Sequence, residues 1–178
     1  MRAYLSYLKP KNLKILLLCK FLQITQRLGF YDQINSYSKY LKVQYMFNKP
    51  FINTDVSSEK DSGGFKQVEY AFQRTPNNLG RVLDLGCGNG FWAKELEKKA
   101  EEVIAIDAIK EFVDIAKKKY GVDARQMDMH ELKFREKYFD CVFATGVLEH
   151  LFYPDKALSE IHRILKPEGH LLAFASID

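Results

Sequence analysis

The sequence predicts an α/β fold: a parallel sheet flanked by helices, with a helical N-terminal extension in front of it. Three observations predict it. Short apolar segments alternate with amphipathic ones from Arg81 onward, the pattern of consecutive βαβ units. One junction, Val82 to Gly90 (VLDLGCGNG), passes from a buried-strand pattern through a glycine-rich turn into a helical pattern. Before residue 65 the text is different: basic and aromatic, then polar.

Composition narrows the class. The 178 residues are 47% hydrophobic and 28% charged, an ordinary globular mixture. That length can bury about 70% of the surface of the unfolded chain. Disordered, collagen-like and low-complexity classes are excluded. Cys19, Cys87 and Cys141 lie far apart with no CxxC pair, which argues against a disulfide scaffold or structural zinc. A reducing, cytoplasmic setting is the expectation. The charge is uneven: residues 1–50 hold nine Lys/Arg against Asp32 alone, a net of +8. The other 128 residues hold 18 bases and 22 acids, a net of −4.

In chain order, residues 11–28 predict a helix whose apolar face runs through Leu13, Leu16, Leu17, Phe21, Ile24 and Leu28, with i, i+3, i+4 spacing. Gly29 is its stop. The run Ile15–Leu18 is far shorter than the ~20 residues of a membrane span, and no cleavage site makes it a signal peptide. A basic amphipathic helix suits packing on the body. It also suits peripheral contact with an anionic membrane or, less favoured, RNA phosphates. Residues 30–52 are tyrosine-rich and predict short helices ending near Pro50. Residues 53–64 (NTDVSSEKDSGG) read as a linker, so the domain boundary falls between an extension, 1–64, and a body, 65–178.

A short helix over 65–74 opens the body. Strands follow at Arg81–Leu85, Glu102–Ile106, Ala124–Met127, Phe139–Ala144 and His170–Ala175. Helices are expected at Phe91–Ala100, Ala108–Tyr120 and Pro154–Lys166. Pro154 at the first turn and Asp155 beside the positive end of the dipole start the last of these. Ala157, Leu158, Ile161, Ile164 and Leu165 form its predicted buried stripe, with Pro167 and Gly169 as terminators.

The glycine loop carries the chemistry. Gly86, Gly88 and Gly90 permit a tight turn whose backbone N–H groups a ligand can approach at a helix start. Asp107 ends the next strand, where an acid suits two ribose hydroxyls. The spacing is GxGxG rather than the dinucleotide GxGxxG. Asp84, two residues before the first glycine, would repel a pyrophosphate. It would attract an ammonium through a charge-assisted hydrogen bond. S-adenosylmethionine carries that ammonium and no phosphate.

These segments, VLDLGCGNG, VIAID, QMDM, FDCVFATGVLEHL and RILKPEGHL, resemble in order and spacing the motifs of class I S-adenosylmethionine-dependent methyltransferases. The resemblance covers about residues 65–178 and points to the small-molecule branch that includes ubiquinone and menaquinone biosynthesis enzymes. It implies a Rossmann-like sheet of strand order 3-2-1-4-5 within a seven-stranded whole. Asp84, Gly86, Cys87, Gly88 and Gly90 would hold the methionine end of the cofactor. Asp107 would hold the ribose, with Ala108 and Ile109 beside the adenine. Asp128 would bond the adenine amino group, and Met127 and Met129 would enclose the ring, ordinary core filling being their other reading. Thr145 and Gly146 would line the pocket near the sulfonium. His150 is the candidate general base, while Glu149 and His150 as a helix cap is the plainer reading. Family members that bind a metal use ExxEH here; Gly146 occupies the first position, so no metal is expected.

The implied function is methyl transfer from S-adenosylmethionine to a small-molecule or lipid-like acceptor, leaving S-adenosylhomocysteine. Its alternative is a cofactor-binding module that is catalytically incomplete; RNA methylation is less favoured. No [DN]PP[YF] segment follows the fourth strand, and the body has no basic–aromatic cluster, so nucleic acid is disfavoured as a partner. In the small-molecule branch the leading segment forms a lid, which Tyr31, Tyr37, Tyr40 and Tyr45 would line and Gly63-Gly64 would hinge. The last two strands of the family sheet would need roughly 40 further residues. The fifth-strand edge is then expected to be covered or to pair in a homodimer.

Overall fold

The computed structural model describes residues 63–151 and 153–174. The expected basic helix at 11–28 with its membrane face, the tyrosine-rich lid segment and most of the linker lie outside the described residues. Five strands form one parallel sheet: β1 (Arg81–Leu85), β2 (Glu102–Asp107), β3 (Asp123–Gln126), β4 (Phe139–Thr145) and β5 (Leu165–Phe174). Their order is β3-β2-β1-β4-β5, as the resemblance implied. Helices are α1 (Gly63–Gln73), α2 (Phe91–Leu96), α3 (Lys110–Ile115, continued by a π-helical turn, Ala116–Tyr120) and α4 (Pro154–Ile164).

Period-two alternation sends successive side chains to opposite faces of the sheet. Val82, Cys141 and Phe143 join Phe72, Ala93, Leu96, Val113 and Ala116 on the face covered by α1, α2 and α3. Leu83, Leu85, Ile104, Ile106 and Val142 join Ala157, Ile161 and Ile164 of α4 on the other. Val82, Leu83 and Leu85 are fully buried, each contributing roughly 1.5–3 kcal/mol of transfer free energy. Two buried faces explain why the strands read as continuous apolar runs. The order reverses between β1 and β4, where β1 begins with the Arg81 N–H donating to the Asp140 carboxylate (2.9 Å).

Several boundaries differ from expectation. Gly63 and Gly64 are the first residues of α1 rather than the end of a linker, a tolerated place for glycine at a helix start. α2 ends at Leu96, because Lys99 O is taken by Leu79 N–H (2.8 Å) and the chain turns toward β2. α4 ends at Ile164 rather than Lys166. The carbonyls of Arg163 and Ile164 accept the N–H groups of Lys137 and Tyr138, and Pro167 bars Lys166 from helical backbone. Pro167 and Gly169 instead sit in a bulge within β5: Phe139 pairs with Leu165 and Cys141 with His170. Gly169 is required by close approach, since a Cβ there would lie 2.9 Å from Lys166 O. Leu158, expected in the buried stripe, is 44% exposed. It lies about 100° round the helix from Ala157, at the margin of the face that meets the sheet.

Candidate cofactor site at the carboxyl ends of the strands

The glycine loop connects β1 to α2 at the carboxyl end of the sheet. Gly86, Gly88 and Gly90 all have positive φ (76°, 51° and 88°). Their reasons differ. A Cβ on Gly86 would lie 2.6 Å from Val147 Cγ2, and one on Gly90 would lie 2.6 Å from Ala116 Cβ and 2.9 Å from its Cα. These two glycines let the β4 turn and the π turn close on the loop. A Cβ on Gly88 would meet nothing within 4 Å, so Gly88 faces open space. The N–H groups of Gly86 and Cys87 both donate to Ile106 O (2.9 Å each), locking the loop to β2. Asn89 Oδ1 accepts the Phe91 N–H (3.1 Å), an Asx turn that leads into α2 through its N-cap, Gly90.

Asp107 holds the loop from the neighbouring strand. Its Oδ2 accepts the Gly88 N–H (3.0 Å) and its Oδ1 the Ile109 N–H (2.8 Å). Burial raises its pKa, while the Ile109, Gly88 and Ala108 amides pull the other way. A carboxylate offers about four acceptor positions, so two amide bonds leave room for hydroxyl donors. Ala108 is fixed from β3, where Gln126 Nε2–H donates to its carbonyl (3.1 Å).

Asp84 is 1% exposed, and its Oδ2 has no hydrogen-bond partner. Burial, then the Asp107 charge, raises it to about 7, with the Ala93 amide opposing. A buried carboxylate oxygen without a donor is costly, and an incoming ammonium would remove that cost. This orphaned oxygen and the open face of Gly88 together fit a cofactor that brings a cation and no phosphate.

The remaining predicted residues lie along the same edge. Met127 follows β3, its N–H donating to Asp107 O (3.0 Å) and its Sδ accepting the Lys133 N–H (3.4 Å). Met129 is buried among the core residues that α4 covers. Asp128 Oδ1 accepts both the N–H and the ring Nδ1 of His130 (2.8 Å each). Thr145 ends β4, and Gly146 has φ +61° with open space at its Cβ position. His150 closes a 3-10 turn, Leu148–His150, its N–H donating to Val147 O (3.0 Å). Cys87 is buried, and burial raises its pKa far above the ordinary thiol range. Cys141, buried in β4, is pushed up to about 11 by burial and then by Asp140. Burial thus disfavours the reactive thiolate form of both.

The structure thus brings Asp84, the glycines, Asp107, Ala108, Ile109 and Met127 into one hydrogen-bonded neighbourhood. Sequence reasoning missed four supporting residues. His130 had no foreseen partner, yet it meets Asp128 and the Tyr153 N–H. Asn89, two residues before the helix, was readable as an Asx-type turn residue. Glu160 and Arg163 hold the segment after β3: Leu132 N–H donates to Glu160 (2.7 Å), and Arg163 donates to the carbonyls of Leu132 (2.7 Å) and Phe134 (2.8 Å).

A family model described as a methyltransferase domain matches residues 83–173, just over half the chain, from within β1 to within β5. An uncharacterized methyltransferase of Schizosaccharomyces pombe is 35% identical over 97 residues, which cover 53% of this chain and 38% of that protein. The ubiquinone/menaquinone biosynthesis C-methyltransferase UbiE of Paraburkholderia phymatum is 28% identical over 160 residues, 84% of this chain and 66% of that one. The chain therefore spans between about two-fifths and two-thirds of the length of these relatives. Among solved structures, the N-methyltransferase NodS of Bradyrhizobium japonicum, in complex with S-adenosyl-L-homocysteine, shares the fold. Its TM-score is 0.63 at 18% identity, over 72% of this chain and 71% of that one. The YcgJ protein of Bacillus subtilis has a TM-score of 0.56 at 28% identity, over 61% and 49%.

Proposed function

The chain belongs to the methyltransferase-domain family of S-adenosylmethionine-dependent enzymes, and on that premise we propose that it moves a methyl group from S-adenosylmethionine to a small-molecule acceptor. The observation that carries the proposal is the buried, unpartnered oxygen of Asp84 beneath a glycine loop. The bound cofactor supplies an electrophilic methyl group on a sulfonium that is already a good leaving group.

The work left to the chain is placement and exclusion of water. Asp84 takes the amino group, and the loop through Gly86, Cys87, Gly88 and Gly90, open at Gly88, takes the methionine end of the cofactor. Asp107 takes the ribose hydroxyls, with Ala108 and Ile109 beside the base. Asp128 takes the adenine amino group; Met127 and Met129 supply apolar surface around the ring. Thr145 and Gly146 border the reacting centre from β4. His150, half-buried just beyond them, accepts the acceptor's proton if that acceptor is weakly acidic. The likeness to UbiE over 84% of the chain supports a quinol-like or lipid-like acceptor. A second reading, a cofactor-binding module that is catalytically incomplete, rests on the same intact Asp84, glycine loop and Asp107.

Calorimetric titration with S-adenosylhomocysteine tests the cofactor assignment. Binding is expected, with Asp107→Ala weakening it at least 100-fold. Asp107→Asn should be nearly as harmful, because both carboxylate oxygens accept amide hydrogens and an Asn NH2 would oppose one of them. Absence of binding to either cofactor form overturns the proposal. Given binding, methyl transfer from labelled S-adenosylmethionine to a panel of quinols, phenols and lipids separates the enzyme from the binding module.

A further inference from the structure

We infer that His130 is a positioning residue that sets base selectivity, by holding Asp128 ready for the adenine amino group and tying it to the start of α4. The inference rests on the assignment of Asp128 to the adenine made above.

His130 is 4% exposed, whereas the Asp128 side chain is about one-third exposed. Two donors from one residue converge on a single oxygen: the His130 N–H and ring Nδ1 both lie 2.8 Å from Asp128 Oδ1. The other ring nitrogen accepts. Tyr153 N–H approaches His130 Nε2 at 3.3 Å, and an N–H can only donate. Nε2 therefore carries the lone pair and Nδ1 the hydrogen. The Tyr153 ring stands edge-on to the imidazole, centroids 6.1 Å apart. Tyr153 is the N-cap of α4 and its N–H lies at a helix start that carries no side-chain cap, so the imidazole supplies an acceptor the sequence does not place locally.

The result is a chain of bonds from the helix start through the ring to a partly exposed carboxylate. Asp128 loses rotational freedom before a ligand arrives, which is the preorganisation that converts a polar contact into discrimination. The segment is held at its far end too, where Glu160 and Arg163 bind Leu132 and Phe134. The His130 end reaches the carboxylate assigned to the base.

The two ring nitrogens can be tested apart. An Asn side chain places its N–H where Nδ1 stands; a Gln side chain reaches to Nε2. The probes are S-adenosylhomocysteine and S-inosylhomocysteine, in which a carbonyl replaces the adenine amino group, titrated calorimetrically into the full chain. The wild type should prefer the adenine compound by about 10- to 100-fold, the worth of a hydrogen bond to a charged group. Asp128→Asn should remove most of that preference. His130→Ala and His130→Gln should reduce it to about threefold, and His130→Asn should keep it, since it preserves the bond to Asp128. A merely structural His130 would weaken both probes equally and leave their ratio unchanged in every His130 variant. That result, with a discriminating wild type, overturns the inference alone. Equal binding of both probes by the wild type overturns the assignment of Asp128 and the inference with it.

Discussion

Burial, reinforced by the charge of Asp107 on the neighbouring strand, lifts the Asp84 carboxyl to a pKa of about 7. The two acids stand at the ends of β1 and β2 on either side of one glycine loop, and their tasks differ. Asp107 bonds the glycine loop through the Gly88 N–H and its own turn through the Ile109 N–H. Asp84 keeps an oxygen that nothing in the described chain bonds.

The first prediction concerns pH. The folded-state pKa of Asp84 is raised above its ordinary value, 3.8. Between about pH 4 and pH 7 the folded form therefore holds a proton that the unfolded form has released. Stability must fall as pH rises through that window and level off above it. The gap between 3.8 and about 7 corresponds to roughly 4 kcal/mol at most. Asp84→Asn should melt higher than wild type at pH 8, show a shallower slope, the remainder belonging to the raised Asp107, and bind S-adenosylhomocysteine at least 100-fold more weakly. Parallel melting curves for the two proteins from pH 4 to 8 would contradict the burial argument.

The second concerns two glycines two residues apart. Gly90→Ala drives a methyl into the Ala116 backbone at φ +88°, and should cost about 2–4 kcal/mol of folding stability. Ala116→Gly in the same chain should recover part of that cost. Gly88→Ala meets open space, so its stability cost should stay near the ~1 kcal/mol of a left-handed non-glycine residue. Its cofactor affinity should fall at least tenfold, because the methyl occupies the ligand's side of the loop. Denaturant titration and calorimetry read the two effects separately.

A third prediction follows from Arg163. Its guanidinium bonds two main-chain carbonyls and both oxygens of Glu160. Arg163→Lys keeps the charge but cannot span that fork. It should destabilise the fold by about 1–3 kcal/mol and raise amide exchange at Leu132, whose N–H is held by Glu160. Unchanged exchange there would show that the segment after β3 is held by other means.

Particular residues show what the sequence made legible. β1 falls exactly where expected because Gly80 and Gly86 bracket five apolar-patterned residues. Asp84 and Asp107 were readable because local spacing alone puts both at strand ends. The limits are equally physical. Pro167 and Gly169 read as helix terminators, yet register with β4 turned them into a bulge, and pairing across the sheet is not written in local text. Leu158 follows helical periodicity but sits at the margin of the sheet-facing stripe. The tie from His130 to Tyr153 spans 23 residues, and Arg163 reaches carbonyls 29 and 31 residues away. No periodicity or motif encodes contacts of that kind.

The reversal of strand order between β1 and β4 has a kinetic consequence. β1–β2, β2–β3 and β4–β5 join neighbours in sequence, whereas Arg81 and Asp140, at the β1–β4 pairing, are 59 residues apart. Closing that span is the slowest entropic step in assembling the sheet. Asp84, the glycine loop and Asp107 belong to one half; Thr145, Gly146 and the turn to His150 belong to the other. Before the halves meet, each is a framework with part of a binding surface. Competence to hold a ligand across both should therefore emerge in the same refolding phase that zips β1 to β4, and not in the earlier ones.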